Sequence, residues 1–266
     1  MTHLADAAGI AEALRLEQLL RFDAAAAAEV RGRLPLPSVN PGGVCSEASH
    51  RFPSAALAGV DEAGRGALAG PLVVGCVCFG RPLPAGSDDA IASCWRTPLA
   101  AVVGIDDSKR LTARRREALF DRISRSAAWA AGWASAREVD AMGVDGAASA
   151  AASRALIRLP VWPLLLLCDY GLGPQAEALR AAGAPDMQQR TYVRGDQRSL
   201  HIAAASIVAK VVRDRWMEAL GRRLPGYGLD RHKGYGTVTH RSALHRLGPS
   251  PAHRRSFRGV GVSCAP

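Results

Sequence analysis

The sequence contains no pair of cysteines in the Cys-x-x-Cys spacing and no Cys/His set with the spacing of a zinc site. Its six cysteines are scattered along the chain. Cys76, Cys78 and Cys168 lie in apolar, strand-like segments, where a free thiol behaves as a small hydrophobic group. This absence argues against a structural zinc site and predicts a protein of a reducing compartment.

Long hydrophobic runs are also missing. The longest, residues 159–168, has 10 residues and includes two prolines, whereas a membrane-spanning helix needs about 20 apolar residues. The N-terminus lacks a basic stretch followed by an apolar core, so no signal peptide is expected. We therefore predict a cytoplasmic protein with no membrane contact.

Lysine is scarce, with 3 lysines among 34 basic residues, and acidic residues are scarce in one region. Residues 190–258 contain 15 Lys or Arg and only 4 Asp or Glu, so they hold most of the net charge of +10. Such a region predicts a polyanionic partner, because each neutralised phosphate releases condensed counterions. The alternative is a solvated cationic surface that aids solubility, and charge alone does not separate the two.

Hydrophobic periodicity predicts an α/β protein, since apolar strands are followed by helices and a mixed sheet would pack helices on its faces. A loop is expected at 34–54, and an irregular insertion that ends in a short strand is expected at 81–107. The expected helices are 5–33, 112–124, 146–159, 174–182, 200–223 and 237–247, and the expected extended segments are 56–60, 72–79, 101–105, 161–168 and 192–193.

The segment GVDEAGRG, residues 59–66, places two adjacent carboxylates at the end of an apolar strand. Strand neighbours point to opposite faces, so Asp61 and Glu62 can share one site only near the strand end or a distortion. Buried carboxylates are costly unless they are paired or bind a cation. The glycines beside Arg65 let the backbone approach a sugar or phosphate. A polar hairpin with a solvated acid pair is the alternative.

Two further acids occur later in the chain. Asp169 follows the apolar run LLLLC, a position where open α/β sheets place ligands, although a single carboxylate there is more often a cap. Asp196, 27 residues later, could likewise precede and cap a helix. If these two converge with Asp61 and Glu62, the four carboxylates would form a two-metal site that activates water and stabilises the leaving oxygen of a phosphodiester.

Three basic segments suit a nucleic-acid partner. The predicted helix 201–214 carries Lys210 and Arg213, which could meet phosphates from one face. The segment HKGYGT, residues 232–237, offers a tyrosine on which a base could stack. The segment HRRSF, residues 253–257, is a basic cluster. Taken singly, the first segment is more typical of an ordinary amphipathic helix, and the alternatives for the other two are a surface tyrosine and a charged tail.

Together these segments resemble the bacterial ribonuclease HII family. The resemblance runs from Ala58 to Phe257, about three quarters of the chain. A single match would be weak, but seven in the family's order make coincidence implausible. The matching strings are GVDEAGRG, DDSKRLT, CDYG, RGD, AAASIVAKVVRD, YGLDRHKGYGT and GPSPAHRRSF.

The resemblance implies an α/β, RNase H-like fold, with a mixed central sheet flanked by helices and a C-terminal helical extension that grips a duplex. It divides the chain into an N-terminal extension, helical then loop (1–55), a catalytic domain (56–223) and a substrate-gripping segment (224–266). The extension lies largely outside the resemblance and receives no predicted function.

The resemblance also implies a set of site residues. The catalytic and metal-binding acids would be Asp61, Glu62, Asp169 and Asp196, holding Mg²⁺ or Mn²⁺. The segment Gly64, Arg65 and Gly66 would contact the ribonucleotide 2′-hydroxyl, the group that distinguishes RNA from DNA. The tyrosine Tyr235 would stack at the RNA–DNA junction. The implied phosphate contacts are Lys109, Lys210, His253, Arg254 and Arg255.

The implied activity is that of a monomeric endonuclease acting on RNA–DNA hybrids and on duplex DNA that contains ribonucleotides. Cleavage on the 5′ side of a ribonucleotide would leave a 3′-hydroxyl and a 5′-phosphate and would serve ribonucleotide excision. Two alternatives remain: another RNase H-fold nuclease acting on DNA, and a non-catalytic nucleic-acid-binding protein with a relic site. The complete set of four acids disfavours the second.

Three features depart from the family pattern. Ala67 stands where proline is usual, and Tyr170 follows the third acid where glycine is usual. The segment between Asp169 and Asp196 is longer than is typical. We expect the first change to be mild and the other two to affect the geometry around Asp169.

Overall fold

The computed structural model describes residues 2–31, 55–79 and 102–260. Two short 3₁₀ turns, Ser108–Arg110 and Gly195–Gln197, lie between the larger elements. In chain order these elements are α1 (Thr2–Arg31), β1 (Ala55–Ala63), β2 (Leu72–Phe79), α2 (Ala113–Ser126), β3 (Ala127–Ala134), α3 (Ala136–Arg158), β4 (Pro163–Asp169), α4 (Ala176–Ala181), β5 (Gln188–Tyr192), α5 (Leu200–Arg223), α6 (Leu229–His232) and α7 (Val238–Leu247).

The five strands form one mixed sheet in the order β3-β2-β1-β4-β5. β1, β2 and β3 pair antiparallel, while β4 is parallel to β1 and β5 is parallel to β4. The parallel register pairs Val60 with Cys168. The residues that follow them, Asp61 and Asp169, are therefore neighbours on the two central strands.

Helices cover both faces of the sheet. On one face, the alanine-rich side of α3 packs on β2 and β3, in a core that includes Ala151, Ala155 and Leu156. On the other face, α5 crosses β1 and β2, and α1 and α2 pack beside it. Small residues set this close spacing: a Cβ on Gly132 would lie 2.1 Å from the Ala151 carbonyl oxygen.

Polar caps fix where several helices begin. Thr112 accepts a hydrogen bond from the Arg115 amide at the start of α2, which agrees with the helix expected at 112–124. Ser135 forms a capping box with Glu138 at the start of α3. Thr237 accepts from the His240 amide at the start of α7.

Most expected elements are present, and two expectations are wrong. The expected strand at 101–105 is a turn over the residues described there, 102–105. The hydrophobic periodicity predicts neither the first half of α3 nor β3, although β3 pairs with β2 along its whole length. The expected loop at 34–54, and the expected insertion from 81 as far as 101, lie outside the described residues.

Within the described ranges, none of the helices combines the length and the apolar character that a bilayer crossing requires. Cys76, Cys78 and Cys168 are fully buried in the sheet, in agreement with their expected hydrophobic role.

We predict that Gly75→Ala destabilises the protein, because the added Cβ would lie 2.4 Å from the Ala205 carbonyl oxygen and 2.8 Å from the Ala209 amide nitrogen. Overpacking of this kind costs about 1–3 kcal/mol or more. Urea unfolding measures the loss. Gly66→Ala is the matched control, since its Cβ would meet no atom within 4 Å. Equal stability of the two variants would contradict the close packing of α5 on the sheet.

Candidate active site

The four predicted acids meet where β1 and β4 end. Asp61 and Asp169 are neighbours across these parallel strands. Asp169 Oδ1 accepts a hydrogen bond of 2.8 Å from the Gly195 amide, which holds the turn bearing Asp196 against the end of β4. Gly195 permits this approach, because a Cβ there would lie 3.3 Å from Asp169 Oδ1. Residues far apart in sequence are thus brought to one edge of the sheet.

Burial makes this group of carboxylates electrostatically unfavourable. Asp61 is 5% exposed. Its desolvation, followed by the negative charges of Glu62, Asp169 and Asp196, raises the pKa of its carboxyl well above the ordinary value. The same three neighbours identify Asp61 as the centre of the group. A divalent cation would relieve this repulsion.

Asp107 is a fifth acid of the same site, and the sequence reasoning missed it. Burial and then the nearby negative charge of Asp107 raise the pKa of Asp196 to about 6. Asp107 is itself 6% exposed and also accepts from the Lys109 amide at 2.9 Å. Its position two residues before Lys109, in the segment DDSKRLT, was the available signal.

Glu62 leaves one oxygen without a protein partner. Its Oε1 accepts from Arg65 Nε at 2.9 Å, whereas Oε2 is buried and makes no hydrogen bond. A buried carboxylate oxygen in this state fits a site that receives a cation. The donors are all carboxylate oxygens, the ligands preferred by Mg²⁺ and Mn²⁺. Among the described residues, no three Asp, Glu, His or Cys side chains are placed closely enough to coordinate a single metal ion as they stand.

Lys109 supplies the positive charge nearest the acids. Desolvation lowers its pKa, but the negative charges of Asp107, Asp61, Asp196 and Asp169 outweigh that effect and raise it. The side chain is exposed at the rim of the site. It is therefore charged at neutral pH and available to an anionic ligand.

Two fully buried arginines hold the loop between β1 and β2. Arg254 Nη1 donates to the Arg65 carbonyl at 2.8 Å, and its Nε and Nη2 donate to the Gly70 carbonyl at 3.2 and 3.1 Å. Arg213 Nε donates to the Pro71 carbonyl at 2.9 Å, and Nη2 donates to the Ala69 carbonyl at 3.2 Å. These arginines fix the backbone of the glycine-arginine-glycine segment.

This arrangement differs from the expected phosphate contacts at His253 and Arg254. The two side chains are 2% and 0% exposed. His253 bonds with Ser250 and with His240, and the Arg254 donors are taken by backbone carbonyls. The structure places them inside the protein, because the C-terminal segment folds back over the loop after β1. Arg255, the third member of the predicted cluster, is exposed.

The ring of Tyr235 lies against the buried side chain of Arg213. Its ring centroid is 5.2 Å from Arg213 Cζ and 5.7 Å from Lys210 Nζ. Its carbonyl bonds with His240 Nδ1 at 2.9 Å. The ring is 36% exposed and so presents a face to solvent. Lys210 also pairs with Asp214 at 2.8 Å.

Tyr170, the departure noted after the third acid, is 70% exposed beside Asp169. The adjacent Gly171 carbonyl accepts from Arg65 Nη2 at 3.5 Å. The tyrosine therefore leaves the acidic group intact.

Comparison with known proteins agrees with the motifs. The family model described as Ribonuclease HII matches residues 58–260. A Ribonuclease HII of Parasynechococcus marenigrum (strain WH8102) is 48% identical over 202 residues, covering 76% of this chain and 81% of that protein. The crystal structure of the ribonuclease H2 from Pyrococcus horikoshii OT3 is 25% identical, with a TM-score of 0.59 over 77% of this chain and 95% of that chain.

A third similar protein is Bst-RNase HIII, solved in complex with Mn²⁺. It is 19% identical, with a TM-score of 0.53 over 81% of this chain and 71% of that chain, so the likeness concerns the fold alone. The mixed sheet with flanking helices is shared with these structures, and the expected RNase H-like fold is confirmed.

We predict that Asp61→Asn stabilises the protein in EDTA at pH 7.5. A carboxyl whose pKa is raised on folding favours the folded state only at low pH, and that contribution is lost as the pH rises. Removing the charge should therefore raise Tm, by about 2–4 °C for each kcal/mol gained. The gain should shrink as the pH falls and Asp61 takes up a proton. A lower Tm at pH 7.5 would contradict the repulsion.

Proposed function

The chain belongs to the ribonuclease HII family, and from that premise we propose how it acts and on what. Family membership makes it a ribonuclease H, a hydrolytic endonuclease. We propose that it cuts the RNA strand of RNA–DNA hybrids and the 5′ side of single ribonucleotides embedded in duplex DNA. The products would carry a 3′-hydroxyl and a 5′-phosphate.

The convergence of Asp61, Glu62, Asp169 and Asp196 carries this proposal. We propose that these residues hold two Mg²⁺ or Mn²⁺ ions, and the raised pKa of Asp61 and the unpartnered Glu62 oxygen support it. When bound, the ions supply an activated water and stabilise the leaving oxygen. The Mn²⁺ complex of Bst-RNase HIII is consistent with such a site on this fold.

Lys109 and the rim of the site would bind the phosphate backbone. Lys109 is exposed and faces the acids, so it could orient the scissile phosphate against them. Lys210 and Arg255 belong to the basic region 190–258 and would contact flanking phosphates. Such contacts fix the register of a duplex without reading its sequence.

The loop between β1 and β2 supports recognition of a 2′-hydroxyl. Gly64 needs its missing side chain for the fold, since its φ is +94° and a Cβ would lie 2.0 Å from Arg213 Nε. Gly66 has no such need, because a Cβ there would meet nothing within 4 Å. We propose that the open space above Gly66 receives the ribose, with Arg65 beside it and with Tyr235 stacking at the junction.

The partners follow from the same argument. We propose RNA–DNA hybrids and ribonucleotide-containing duplex DNA as substrates and a cytoplasmic monomer as the working form. The excess of Lys and Arg in residues 190–258 supports an electrostatic, salt-dependent component of binding.

The test of this function compares three labelled duplexes: all DNA, DNA with one ribonucleotide, and an RNA–DNA hybrid. With Mg²⁺ or Mn²⁺, we expect one cut 5′ of the single ribonucleotide, cuts in the hybrid RNA, and an intact all-DNA duplex. Asp61→Asn should lose at least about 10³-fold in rate while still binding the duplex. Cleavage of the all-DNA duplex would point to another nuclease of this fold, and no cleavage with either metal would point to a non-catalytic protein.

We predict that Gly66→Ala impairs recognition without unfolding the protein. The added methyl would occupy space beside the proposed ribose and should lower kcat/KM for the single-ribonucleotide duplex by about 10-fold or more, with Tm within about 2 °C of the unaltered protein. Gly64→Ala should lower Tm instead, because its backbone and its contact with Arg213 forbid a side chain. Unchanged kinetics in a folded Gly66→Ala variant would exclude this loop from substrate recognition.

A further inference from the structure

The helix α1 lies outside the region matched by the family model, which begins at residue 58, yet it contacts the turn before Asp107 and the first turn of α5, the helix that follows Asp196. We infer that α1 is a positioning element of the active site, fixing the turn that leads to Asp107 and Lys109 and the start of the helix that follows Asp196. The catalytic part of this inference rests on the proposed function.

The first contact is a pair of charged side chains on α1 that bind the backbone before Asp107. Glu12 Oε1 accepts from the Gly104 amide at 2.9 Å. Arg15 donates through Nη2 to the Ile105 carbonyl, and its Nη1 lies 3.2 Å from Asp106 Oδ1. Glu12 and Arg15 also pair with each other at 3.0 Å. Three successive residues, 104–106, are therefore held by α1.

The residues held by α1 are bonded directly to Asp107 of the acidic site. Asp106 Oδ1, the oxygen that faces Arg15, also accepts from the Asp107 amide at 2.8 Å. Asp107 in turn accepts from the Lys109 amide, and its carboxyl group lies near that of Asp196, whose pKa it raises. One continuous chain of polar contacts thus runs from Arg15 to the acidic group.

The second contact joins Asp23 of α1 to His201 in the first turn of α5. Asp23 is 0% exposed, and its Oδ2 accepts from the His201 amide at 3.3 Å and bonds with His201 Nδ1 at 2.8 Å. His201 is in the first turn of α5, and α5 begins directly behind the turn of Asp196, where the Ser199 amide donates to the Gly195 carbonyl at 2.8 Å. Asp23 therefore supports the start of α5 from outside the family core.

Apolar packing keeps α1 in register for these contacts. Leu16 and Leu19 are 4% and 1% exposed and belong to the same core cluster as Ile105 and Leu200. Farther along the helix, Ala26 and Ala27 pack in the cluster that contains Leu57, Leu165, Leu167 and Ile202. α1 is part of the core, so its polar groups have fixed positions.

The test uses Arg15→Met in the full chain, with Arg21→Met as the matched control. Arg21 is an arginine on the same helix, paired with Glu17 on the exposed side. The first measurement is hydrogen exchange by mass spectrometry. We expect exchange at residues 104–110 to rise at least about tenfold in Arg15→Met, with exchange in β3 unchanged and no change in Arg21→Met. Glu12→Gln, which removes one contact of the same set, should show the same change in smaller degree.

The second measurement is a kcat and KM comparison on the single-ribonucleotide duplex. We expect kcat to fall about 5- to 10-fold in Arg15→Met, with KM within about twofold. The loss should be less than additive with Lys109→Ala, which acts through the same turn, and additive with Tyr235→Ala.

Hydrogen exchange separates this inference from the proposed function, because it needs no substrate. Unchanged exchange at 104–110 would overturn the inference, as would faster exchange throughout the protein, which would indicate general destabilisation. Faster local exchange with unchanged kcat would overturn the link to catalysis. If the unaltered protein cleaved none of the duplexes, the proposed function would fall, while the exchange result would still decide whether α1 fixes the turn.

Discussion

Mutual repulsion among buried carboxylates is the constraint on which this structure depends. Asp61, Glu62, Asp169 and Asp196 are held at the edge formed by two parallel strands, and Asp107 adds a further negative charge. In a protein without a bound cation such a group lowers stability, because Asp61 and Asp196 are desolvated and face other charges of the same sign. The rest of the fold has to supply the free energy that keeps these side chains together.

The scaffold does this through close packing and through buried donors. Gly59 lets α5 cross β1 at a distance that would place a Cβ 2.2 Å from a His201 backbone atom. Gly75 does the same on β2. The buried arginines Arg213 and Arg254 then fix the loop after β1 by its carbonyl groups. Rigid support of this kind is what a site needs if its ligands and its recognition loop are to keep a set geometry.

Much of this could be predicted from the sequence, because short motifs carry local information. The apolar runs before Asp61 and Asp169 predict strand ends, and Thr112 predicts where α2 begins. The strand β3 could not be predicted in this way, since its sequence AAWAAGWA is rich in alanine, which favours helix, and only pairing with β2 makes it a strand.

Contacts between residues far apart in the chain could not be predicted from the sequence. The segment HRRSF was interpreted as a surface cluster, yet the Arg254 side chain is directed inward by carbonyl groups almost 190 residues earlier in the chain. The segment DDSKRLT marks Asp107 as a candidate, but its nearness to Asp196 depends on the folded sheet and cannot be predicted from the sequence. The role of α1 was invisible for the same reason: its hydrogen bond to Gly104 joins residues 92 positions apart.

The most direct test of this account is a titration of the protein with Mn²⁺ in the absence of nucleic acid, in which electron paramagnetic resonance measures the concentration of free Mn²⁺. The account predicts saturable binding that Asp61→Asn or Asp169→Asn weakens by about tenfold or more, while Glu117→Gln, which removes a half-exposed acid on α2 that pairs with Arg215, leaves it unchanged. Equal binding by all four proteins would show that the gathered carboxylates do not hold the metal and would contradict the central claim.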